Sequence, residues 1–443
     1  MPTTFMHLAD VHLGYLQYQS EERLKDFSRA FQQAVDDAVD KKVDFVLIAG
    51  DLFHKAAINP QTLLQAKRPL EKLREAQIPA VAITGNHDGT RYGYQFSWLD
   101  YLQADDCLTV LRPTFSKEGQ LILSPSNGRS GGYIDIKGVR IIGLNYLGAS
   151  TPSVLQDLPR AIEQLPHNDH FTVLMAHFGL EGEVPNLSGA ISYNTLAPLK
   201  TAINYMALGH IHKPLARDNW IYNPGSLEAC GLDERHWHGG WYHVTVDAKT
   251  HQAQHLRCKR RPMHRIRVAV DEYGSPVALY EAVREHLNEH GEAIGLGPVQ
   301  PIVQVWLEGV LAFDRHDLNT RYIEEMIIEI THPLKALVRN NTRSTEYEVA
   351  ADERLDRADL ERSVFADLII RDRRFSEQAE EWANLMLETK TMVLAGNDPE
   401  DIAKAISKRM ILLSGSKEAA ENLAGLKSKL AQLKAEMEGK DVD

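Results

Sequence analysis

The sequence predicts an α/β protein in which a large layered domain is followed by a small α+β domain and a helical segment. Through residues 1–262 of the 443, short apolar runs alternate with longer amphipathic stretches. This alternation is typical of helices packed on a sheet. A compact β-α-β-α-β pattern follows over residues 263–345, and residues 346–443 combine a polar linker with helical periodicity. We therefore expect three parts with these boundaries.

The period of the apolar residues distinguishes strands from helices along the chain. In the first part the predicted elements are strand 5–9, helix 24–39, strand 43–49, helix 61–76, strands 79–84, 133–136 and 139–144, helix 153–165, and strands 171–176, 205–208 and 241–246. In the second part they are strand 266–270, helix 278–287, strand 302–310, helix 322–330 and strand 334–338.

Two polar stretches predict linkers between the parts. The run from Arg257 to Arg267 has six Lys or Arg among eleven residues, no acid, and Pro262. Residues 341–362 are polar and charged with little periodicity. Near the end of the chain, an apolar stripe with the 4, 3, 4, 3, 4 spacing of a coiled-coil seam predicts a helix, and it consists of Ala419, Leu423, Leu426, Leu430, Leu433 and Met437.

Composition excludes several classes of protein. No eighteen apolar residues run together, and Met1 to Asp10 lack the features of a signal peptide, so we expect a soluble cytoplasmic protein without a membrane span. The three cysteines are widely spaced, which argues against a disulfide framework or a thiolate zinc site. The net charge of −12 is uneven, because residues 1–262 have 26 Lys plus Arg against 27 Asp plus Glu. The acidity of residues 263–443 favours a protein partner there.

Five clusters of Gly, Asp, Asn and His each follow a short apolar run directly. If these runs are strands, the clusters emerge at strand ends, which is where α/β sheets bind ligands. A single cluster is more often structural, but the set in this order points to a site. The clusters are Asp10-Val-His12, Gly50-Asp51, Gly85-Asn86-His87-Asp88, His177 and Gly209-His210-Ile-His212.

These side chains offer oxygen and nitrogen ligands and no sulfur. Such a set suits manganese, magnesium, iron or zinc and fits a two-metal centre. In a strand-like segment, residues two apart point to one side, so Asp10 and His12 can bind a single ion, and His210 and His212 share that geometry. Asp51, beside Gly50, is well placed to bridge two ions.

The five clusters resemble the motif series of the calcineurin-like metallophosphoesterases, D-x-H, G-D, G-N-H-D/E, H and G-H-x-H. This resemblance implies a β-sandwich flanked by helices and two divalent metal ions. It implies that Asp10, His12, Asp51 and His212 hold one ion and that Asp51, Asn86, His177 and His210 hold the other. His87 would then be the catalytic histidine.

Longer blocks narrow the resemblance to the nuclease subunits of double-strand-break repair complexes, of the meiotic-recombination-eleven and SbcD type. It extends over about residues 1–230, is weaker over 263–345, and His54 looks like the second active-site histidine of that family. The blocks are His7-Leu-Ala-Asp-Val-His-Leu-Gly-Tyr15, Asp44-Phe-Val-Leu-Ile-Ala-Gly-Asp-Leu-Phe-His54, Gly85-Asn-His-Asp88, Ala207-Leu-Gly-His-Ile-His-Lys213 and Tyr222-Asn-Pro-Gly-Ser-Leu-Glu228.

The resemblance implies a manganese-dependent exonuclease and endonuclease that acts on DNA ends with metal-activated hydroxide, in the cytoplasm at the nucleoid. Two alternatives remain: a phosphodiesterase or nucleotidase for small substrates on the same fold, and a non-catalytic scaffold for an ATPase. The extra domain argues against the first, and the intact set of ligand residues argues against the second.

Three further expectations concern partners. Two interpretations of the basic run stay open: a solvated linker, or a contact for DNA phosphates through Arg257, Lys259, Arg260, Arg261, Arg265 and Arg267. The aromatic cluster Tyr92, Tyr94, Phe96, Trp98 and Tyr101 follows the Gly85 loop, and the resemblance implies a homodimer through the helices here and at 61–76. It also implies that the C-terminal helices dock on an SMC-like ABC ATPase of the SbcC or Rad-fifty type.

Overall fold

The computed structural model of this chain describes residues 2–90, 96–128, 130–167, 169–185, 189–295, 297–344, 357–370, 375 and 378–414. The chain divides into two compact units. The first consists of Met1–Ala269, Val277–Glu308 and Asn319–Asn341, and the second of Val270–Pro276, Gly309–Leu318 and Thr342–Asp443. The apolar stripe from Ala419 to Met437, together with Tyr92 and Tyr94, lies outside the described residues.

The strands match the sequence predictions to within a few residues where one was made. In chain order they are β1 Thr3–Leu8, β2 Phe45–Ile48, β3 Ala80–Ala82, β4 Thr109–Val110, β5 Thr114–Phe115, β6 Leu121–Ile122, β7 Tyr133–Ile136, β8 Val139–Gly143, β9 Phe171–His177, β10 Tyr205–Gly209, β11 Leu215–Arg217, β12 Ile221–Asn223, β13 Gly240–Asp247, β14 Thr250–Arg257, β15 Met263–Ala269, β16 Ile302–Leu311 and β17 Lys335–Ser344.

The helices follow the predicted pattern as well. In chain order they are α1 Glu21–Lys41, α2 Pro60–Glu75, α3 Trp98–Ala104, α4 Thr151–Glu163, α5 Tyr193–Leu196, α6 Pro276–Gly295, α7 Thr320–Thr331, α8 Arg357–Ile370, α9 Ala379–Leu394 and α10 Pro399–Ser414. Ser20 caps α1 by accepting a hydrogen bond from the Arg23 amide, and Asn59 caps α2 in the same way.

Two six-stranded sheets pack face to face in the first unit. Their strand orders are β14-β13-β1-β2-β3-β4 and β11-β12-β10-β9-β8-β7. Alternate residues of each strand face the space between the sheets, because successive side chains of a strand point to opposite faces. Phe5 and Leu47 of one sheet share this core with Val173 and Tyr205 of the other. The expected α/β sandwich is therefore the fold of the chain.

The outer faces of the sandwich are covered by helices. Met6 and Val46 point away from the second sheet and pack with Phe31 of α1 and Leu70 of α2. On the other side, the residues of β9 and β10 that alternate with the inner ones pack with Leu155 and Leu158 of α4. The result is a four-layered arrangement in which both sheets are buried on both faces, as the apolar strands predict.

Parallel pairing places the loops that carry the polar clusters at one edge of each sheet. Strands β1, β2, β3 and β4 run parallel, so their carboxyl ends lie side by side. In the second sheet β9 and β10 also run parallel, and they end at His177 and Gly209. His177 Nδ1 lies 2.8 Å from the carbonyl oxygen of Ala49, just after β2. The two edges therefore meet at this point.

The predicted linkers are longer than those of the structure. Arg257 is the last residue of β14 and β15 begins at Met263, so the first connection is only residues 258–262. Strand β15 pairs in parallel with β16, and the order of this third sheet is β15-β16-β17. The second linker, predicted over 341–362, is wrong at both ends, because β17 continues to Ser344 and α8 starts at Arg357.

In the second unit the described helices α8, α9 and α10 pack in sequence. Ala366 of α8 is buried, as are Ala383 and Leu385 of α9. Lys390 of α9 pairs with Glu361 of α8 at 2.6 Å. No described helix is long and apolar enough to cross a membrane. Helix in this region agrees with the sequence prediction.

Candidate metal centre

The ligand-type residues lie in loops that bend sharply at the strand ends. The loop after β1 pairs with the loop after β2, since the His12 amide donates to the Asp51 carbonyl oxygen at 3.0 Å. Asp10, His12 and Asp51 have φ between 52° and 54°, and His210 has φ 90°. Non-glycine residues rarely adopt this left-handed region, at a cost on the order of 1 kcal/mol each. Such strain clusters at functional sites.

Two glycines make room for these residues. A Cβ added at Gly50 would lie 2.3 Å from His177 Nδ1, and Gly50 has φ +90°. A Cβ added at Gly85 would lie 2.1 Å from Asp51 Oδ1. Both distances are far inside van der Waals contact, so only glycine permits the close approach of these loops.

The first half of the centre is formed by Asp10, His12 and His212. The Nε2 atoms of His12 and His212 lie 3.0 Å apart. The Asp10 carboxylate accepts a hydrogen bond from the His210 amide, with Oδ2 at 3.0 Å. Ligand atoms of Asp10, His12 and Asp51 lie within 4.8 Å of one another, and all three residues are buried.

The second half is formed by Asn86, His177 and His210 around Asp51. Asn86 Oδ1 lies 3.0 Å from His177 Nε2 and 2.9 Å from His210 Nδ1. Asp51 Oδ2 lies 3.3 Å from His177 Nε2 and 4.0 Å from His12 Nε2. Asp51 therefore lies between the two halves, as a bridging carboxylate requires.

Burial and neighbouring charges set the protonation of the centre. Burial lowers the pKa of His177, but the Asp51 carboxylate outweighs this effect and the pKa rises to about 9. Burial raises the pKa of Asp10 to about 6, and it lowers the pKa of His210 to about 4. Burial also holds the pKa of His12 well below its usual value. His177 thus favours its charged form, whereas His12 and His210 favour the neutral form.

His54 and His87 flank the centre. Their rings stack with centroids 5.2 Å apart, and Tyr15 stacks on the other side of His54 at 3.8 Å. His87 Nδ1 donates to the His54 carbonyl oxygen at 2.8 Å, and its Nε2 lies 4.0 Å from Asp51 Oδ2. Burial lowers the pKa of His54 to about 4. The His87 side chain is 36% exposed, so it is accessible to solvent.

Asp88, the last residue of the Gly-Asn-His-Asp cluster, fastens the two loops together. Its carboxylate accepts hydrogen bonds from the Phe53 amide at 2.8 Å and from the Leu52 and Gly85 amides at 3.2 Å. Burial and the nearby Asp51 raise the pKa of Asp88 to about 7. Its role is to hold the His54 and His87 loops in register.

The sequence interpretation missed two residues beside His212. Glu234 Oε1 lies 2.8 Å from His212 Nδ1. Cys230 has a ligand atom within 4.8 Å of those of His12 and His212. Neither residue belongs to a motif or follows a strand, and no local signal in the sequence indicates them. The expectation that sulfur plays no part in the ligand set rested on the spacing of the cysteines alone.

The geometry fits a divalent ion at His12 and His212. Two nitrogens bound to one ion at about 2.0–2.1 Å lie roughly 3 Å apart, which agrees with the 3.0 Å between the two Nε2 atoms. Burial lowers the pKa of His212, but Cys230 and Glu234 outweigh it and hold the pKa well above its usual value. His212 therefore favours its protonated form, and a cation that binds this pair would displace that proton. The roles of the individual ligands stay predictions.

A comparison with protein families identifies the type of domain in residues 3–214. Residues 3–214 match the model of the calcineurin-like phosphoesterase family. Residues 3–214 are therefore similar to the calcineurin-like phosphoesterases, and this match covers just under half of the chain. Divalent metal ions are implied by this phosphoesterase fold and by the groups of ligand side chains just described.

Curated relatives of this phosphoesterase are named DNA double-strand break repair protein Mre11. The protein from Archaeoglobus fulgidus is 34% identical over 239 residues, which cover 52% of this chain and 51% of the relative. The protein from Aeropyrum pernix is 29% identical over 293 residues, which cover 64% of this chain and 67% of the relative. The chain thus spans about half the length of the first relative and two thirds of the second.

The basic run from Arg257 to Arg267 contains arginines that bind other parts of the protein and residues that are exposed. The Arg260 guanidinium donates to the Leu227 and Trp237 carbonyl oxygens. Arg261 pairs with the buried Asp26 at 2.6 Å, and Arg265 pairs with Asp233 at 2.7 Å. These three arginines therefore hold the structure together, and a role in DNA binding remains a prediction for the run as a whole. Its exposed members are Arg257, Lys259 and Arg267.

Proposed function

We propose that this protein is a metal-dependent DNA nuclease that cleaves phosphodiester bonds at DNA ends during double-strand-break repair. The observation that carries the proposal is the convergence of the seven oxygen and nitrogen ligand side chains with His54 and His87 at one edge of the sandwich. The names of the relatives support DNA as the substrate, and the likeness to one of them spans 293 residues, more than the phosphoesterase match over 3–214.

We expect the centre to hold two Mn²⁺ ions, with Mg²⁺, Fe²⁺ or Zn²⁺ as alternatives. Two ions bound there would supply the positive charge that activates a water molecule and stabilises the charge developing on the phosphate. Asp51 lies between both halves of the centre and is the bridging ligand. The ligand sets are Asp10, His12, Asp51 and His212 for one ion, and Asp51, Asn86, His177 and His210 for the other.

His87 supplies the proton for the leaving group. Its Nδ1 is held by the His54 carbonyl oxygen, so the proton that it exchanges with a departing sugar oxygen is the one at Nε2. The backbone amide of His87 donates to Asp51 Oδ1 at 2.8 Å. The bridging carboxylate thus fixes the position of the acid relative to the ions. His54, stacked on His87, orients the phosphate.

DNA would reach the centre across a basic surface formed by Arg257, Lys259 and Arg267, whose side chains are exposed. Phosphate contacts by such cations release counterions, so the affinity for DNA falls as salt rises. Replacing all three by Gln should make the salt dependence of DNA binding shallower by up to roughly three units of slope. An unchanged slope would refute a DNA role for this surface.

Partners extend the proposal. We expect a homodimer through α2 and α3, because Leu64 is 48% exposed and Phe96, next to α3, is 60% exposed. Light scattering at micromolar concentration should give twice the chain mass of 49.9 kDa.

We also expect residues 415–443 to dock on an SMC-like ABC ATPase. Deletion of these residues should abolish co-purification of the ATPase while nuclease activity persists. Such a complex would work in the cytoplasm, at the nucleoid.

A comparison of substrates tests the activity. With Mn²⁺, the full chain should degrade linear double-stranded DNA with free ends faster than DNA with blocked ends, and chelation should stop the reaction. If only a chromogenic phosphodiester or nucleotides are hydrolysed while DNA stays intact, the protein is a small-substrate phosphodiesterase. If none of these substrates is hydrolysed, with or without the ATPase, the enzymatic proposal fails and a scaffold role takes its place.

A further inference from the structure

We propose that Cys230 supplies a thiolate ligand to the ion at His12 and His212, so that this centre binds thiophilic ions through sulfur. Among the described residues, one ligand atom from each of these three side chains lies within 4.8 Å of the others. The inference rests on the metal centre of the proposed function but not on the identity of the substrate.

A single carboxylate holds the cysteine and the histidine in place together. Glu234 Oε2 accepts a hydrogen bond from the Cys230 amide at 2.7 Å, and Glu234 Oε1 accepts one from His212 Nδ1 at 2.8 Å. A shared anchor of this kind fixes the backbone of Cys230 relative to the imidazole ring. The proximity of Cys230 to the His212 ring is therefore set by the backbone of this turn and by Glu234.

The imidazole ring of His12 is available to bind a metal ion. The His12 ring is 1% exposed, and within the described part of the chain its Nδ1 has no hydrogen-bond partner. A buried polar ring with an unsatisfied nitrogen is energetically unfavourable. The other ring nitrogen faces His212 Nε2 at 3.0 Å. A cation that binds the Nε2 atoms of His12 and His212 would add a strong bond to the His12 ring, which makes few hydrogen bonds among the described residues.

The sulfur of Cys230 interacts with His212, and its contact with the backbone is weak. Its Sγ lies 3.9 Å from the Glu228 carbonyl oxygen, a long contact even for a thiol. By contrast, Cys258 Sγ lies 3.1 Å from Gln33 Oε1, and Cys107 Sγ lies 3.4 Å from Asp105 Oδ2. Only Cys230 among the three cysteines of the chain is grouped with histidines as a ligand cluster in the described structure.

Binding through sulfur changes the choice of metal. The S–H bond of Cys230 breaks as the sulfur–metal bond forms, and the proton passes to the solvent buffer. Thiolate is a soft ligand that favours zinc and similar ions, whereas carboxylate oxygens suit Mn²⁺ and Mg²⁺. Zn²⁺ and Co²⁺ should therefore bind this half of the centre more tightly than the oxygen and nitrogen ligands alone would allow, and Zn²⁺ should displace Mn²⁺ from it.

Titration of the metal-free full chain with Co²⁺ tests the inference. The visible ligand-field bands report that cobalt is bound, and a near-ultraviolet thiolate-to-cobalt charge-transfer band reports that sulfur is a ligand. The wild type should show both. Cys230→Ser should keep the ligand-field bands and lose the charge-transfer band, while the Cys107→Ala/Cys258→Ala double variant, in which Cys230 is the sole remaining cysteine, should keep both.

Zinc binding provides two further measurements, of which the first needs no variant. X-ray absorption of the zinc-loaded wild type should detect a sulfur neighbour at about 2.3 Å. By competition with a chromophoric chelator, Cys230→Ser should bind Zn²⁺ about tenfold or more weakly, with a much smaller change for Mn²⁺. Ligand-field bands without charge transfer in the wild type would overturn the inference and leave the nuclease proposal standing. Failure of the wild type to bind Co²⁺ at all would overturn both.

Discussion

Glu234 Oε1 lies 2.8 Å from the nitrogen of His212 that points away from His12. Because a carboxylate only accepts, Nδ1 donates the hydrogen bond, and Nε2 is directed toward the metal centre. Removing the charge of Glu234 should therefore loosen His212 as a ligand. Glu234→Gln should bind Mn²⁺ about 10–100-fold more weakly by isothermal titration calorimetry.

The neighbouring Asp233 provides a matched control on the same turn. It pairs with Arg265 and its side chain is 82% exposed. Asp233→Asn should therefore leave Mn²⁺ affinity unchanged. Equal losses in both variants would mean that the turn as a whole, and not the bond to His212, is responsible.

The roles of His87 and Asp51 can be separated by measuring binding and catalysis independently. His87→Ala should keep both ions and lose cleavage by about 100-fold or more, because a positioned acid contributes that much. Asp51→Asn should lose metal as well, since Asp51 lies between both halves of the centre. Metal stoichiometry and a nuclease assay on each variant check this. A fully active His87→Ala protein would exclude His87 as the acid.

The approach of the Gly85 loop to Asp51 allows a sharp steric test. A Cβ at Gly85 would lie 2.1 Å from Asp51 Oδ1, whereas a Cβ at Gly89 would meet nothing within 4 Å. Gly85→Ala should displace the carboxylate and lower both Mn²⁺ affinity and the melting temperature. Gly89→Ala, four residues further on, should change neither. Calorimetry and thermal unfolding of the pair check this, and a benign Gly85→Ala would show that the loops approach less closely.

His7 gives the sandwich a dependence on pH. Tyr205 donates to its Nδ1 and its Nε2 donates to the Leu208 carbonyl oxygen, each at 3.0 Å, and burial lowers its pKa from 6.5 to about 3. Below pH 6.5 the His7 side chain binds a proton in the unfolded state but not in the folded state. Stability from this group is therefore complete above pH 6.5 and is lost as the pH falls toward 3, by up to roughly 5 kcal/mol.

A neutral replacement isolates the contribution of His7. Gln can donate to one partner and accept from the other without titrating, so His7→Gln should show a shallower loss of stability between pH 6.5 and pH 3 than the wild type. Urea unfolding at several pH values measures the difference in slope, which removes the effect of other groups. Parallel curves would mean that His7 does not titrate in this range.

Asp26 holds three arginines together beneath the connection to β15. Its carboxylate accepts from Arg23 at 2.7 Å and from Arg261 at 2.6 Å, and it also pairs with Arg29. Arg23 is fully buried, and Asp26→Asn would leave Glu228 as its carboxylate partner, so the free energy of unfolding should fall by about 3 kcal/mol, the low end for a broken buried pair. Denaturant unfolding checks this. Asp36→Asn, which breaks a half-exposed pair with Lys72, should cost less than about 1 kcal/mol.

The sequence predicts elements well where burial imposes a pattern. Strands such as β1 and β9 have apolar side chains on both faces, so their runs are visible without the structure. Strand β14, Thr250–Arg257, was not predicted, because it lies at the edge of its sheet and its polar residues show no apolar alternation. Edge strands need little apolar surface, and only the neighbour that they pair with identifies them.

The candidate site divides in the same way. Each predicted ligand follows a strand directly, and the structure gathers all of them, because parallel strands end at a common edge. Cys230 and Glu234 lie on a turn 18 and 22 residues after His212, outside any predicted strand or motif, and reach His212 only through folding. The basic run was ambiguous for a related reason: the partner of Arg261 is Asp26, and a contact across 235 residues leaves no trace in local charge.

The centre is assembled from chain segments that span Asp10 to Glu234, so no fragment that lacks either end can complete it. Asp10 leaves the ribosome early, but His210, whose amide it binds, follows 200 residues later, and Glu234, the partner of His212, follows later still. At roughly 5–20 residues per second, a growing chain spends ten seconds or more without a complete centre. A chain that hydrolyses nucleic acid would therefore be inert through about the first half of its own synthesis.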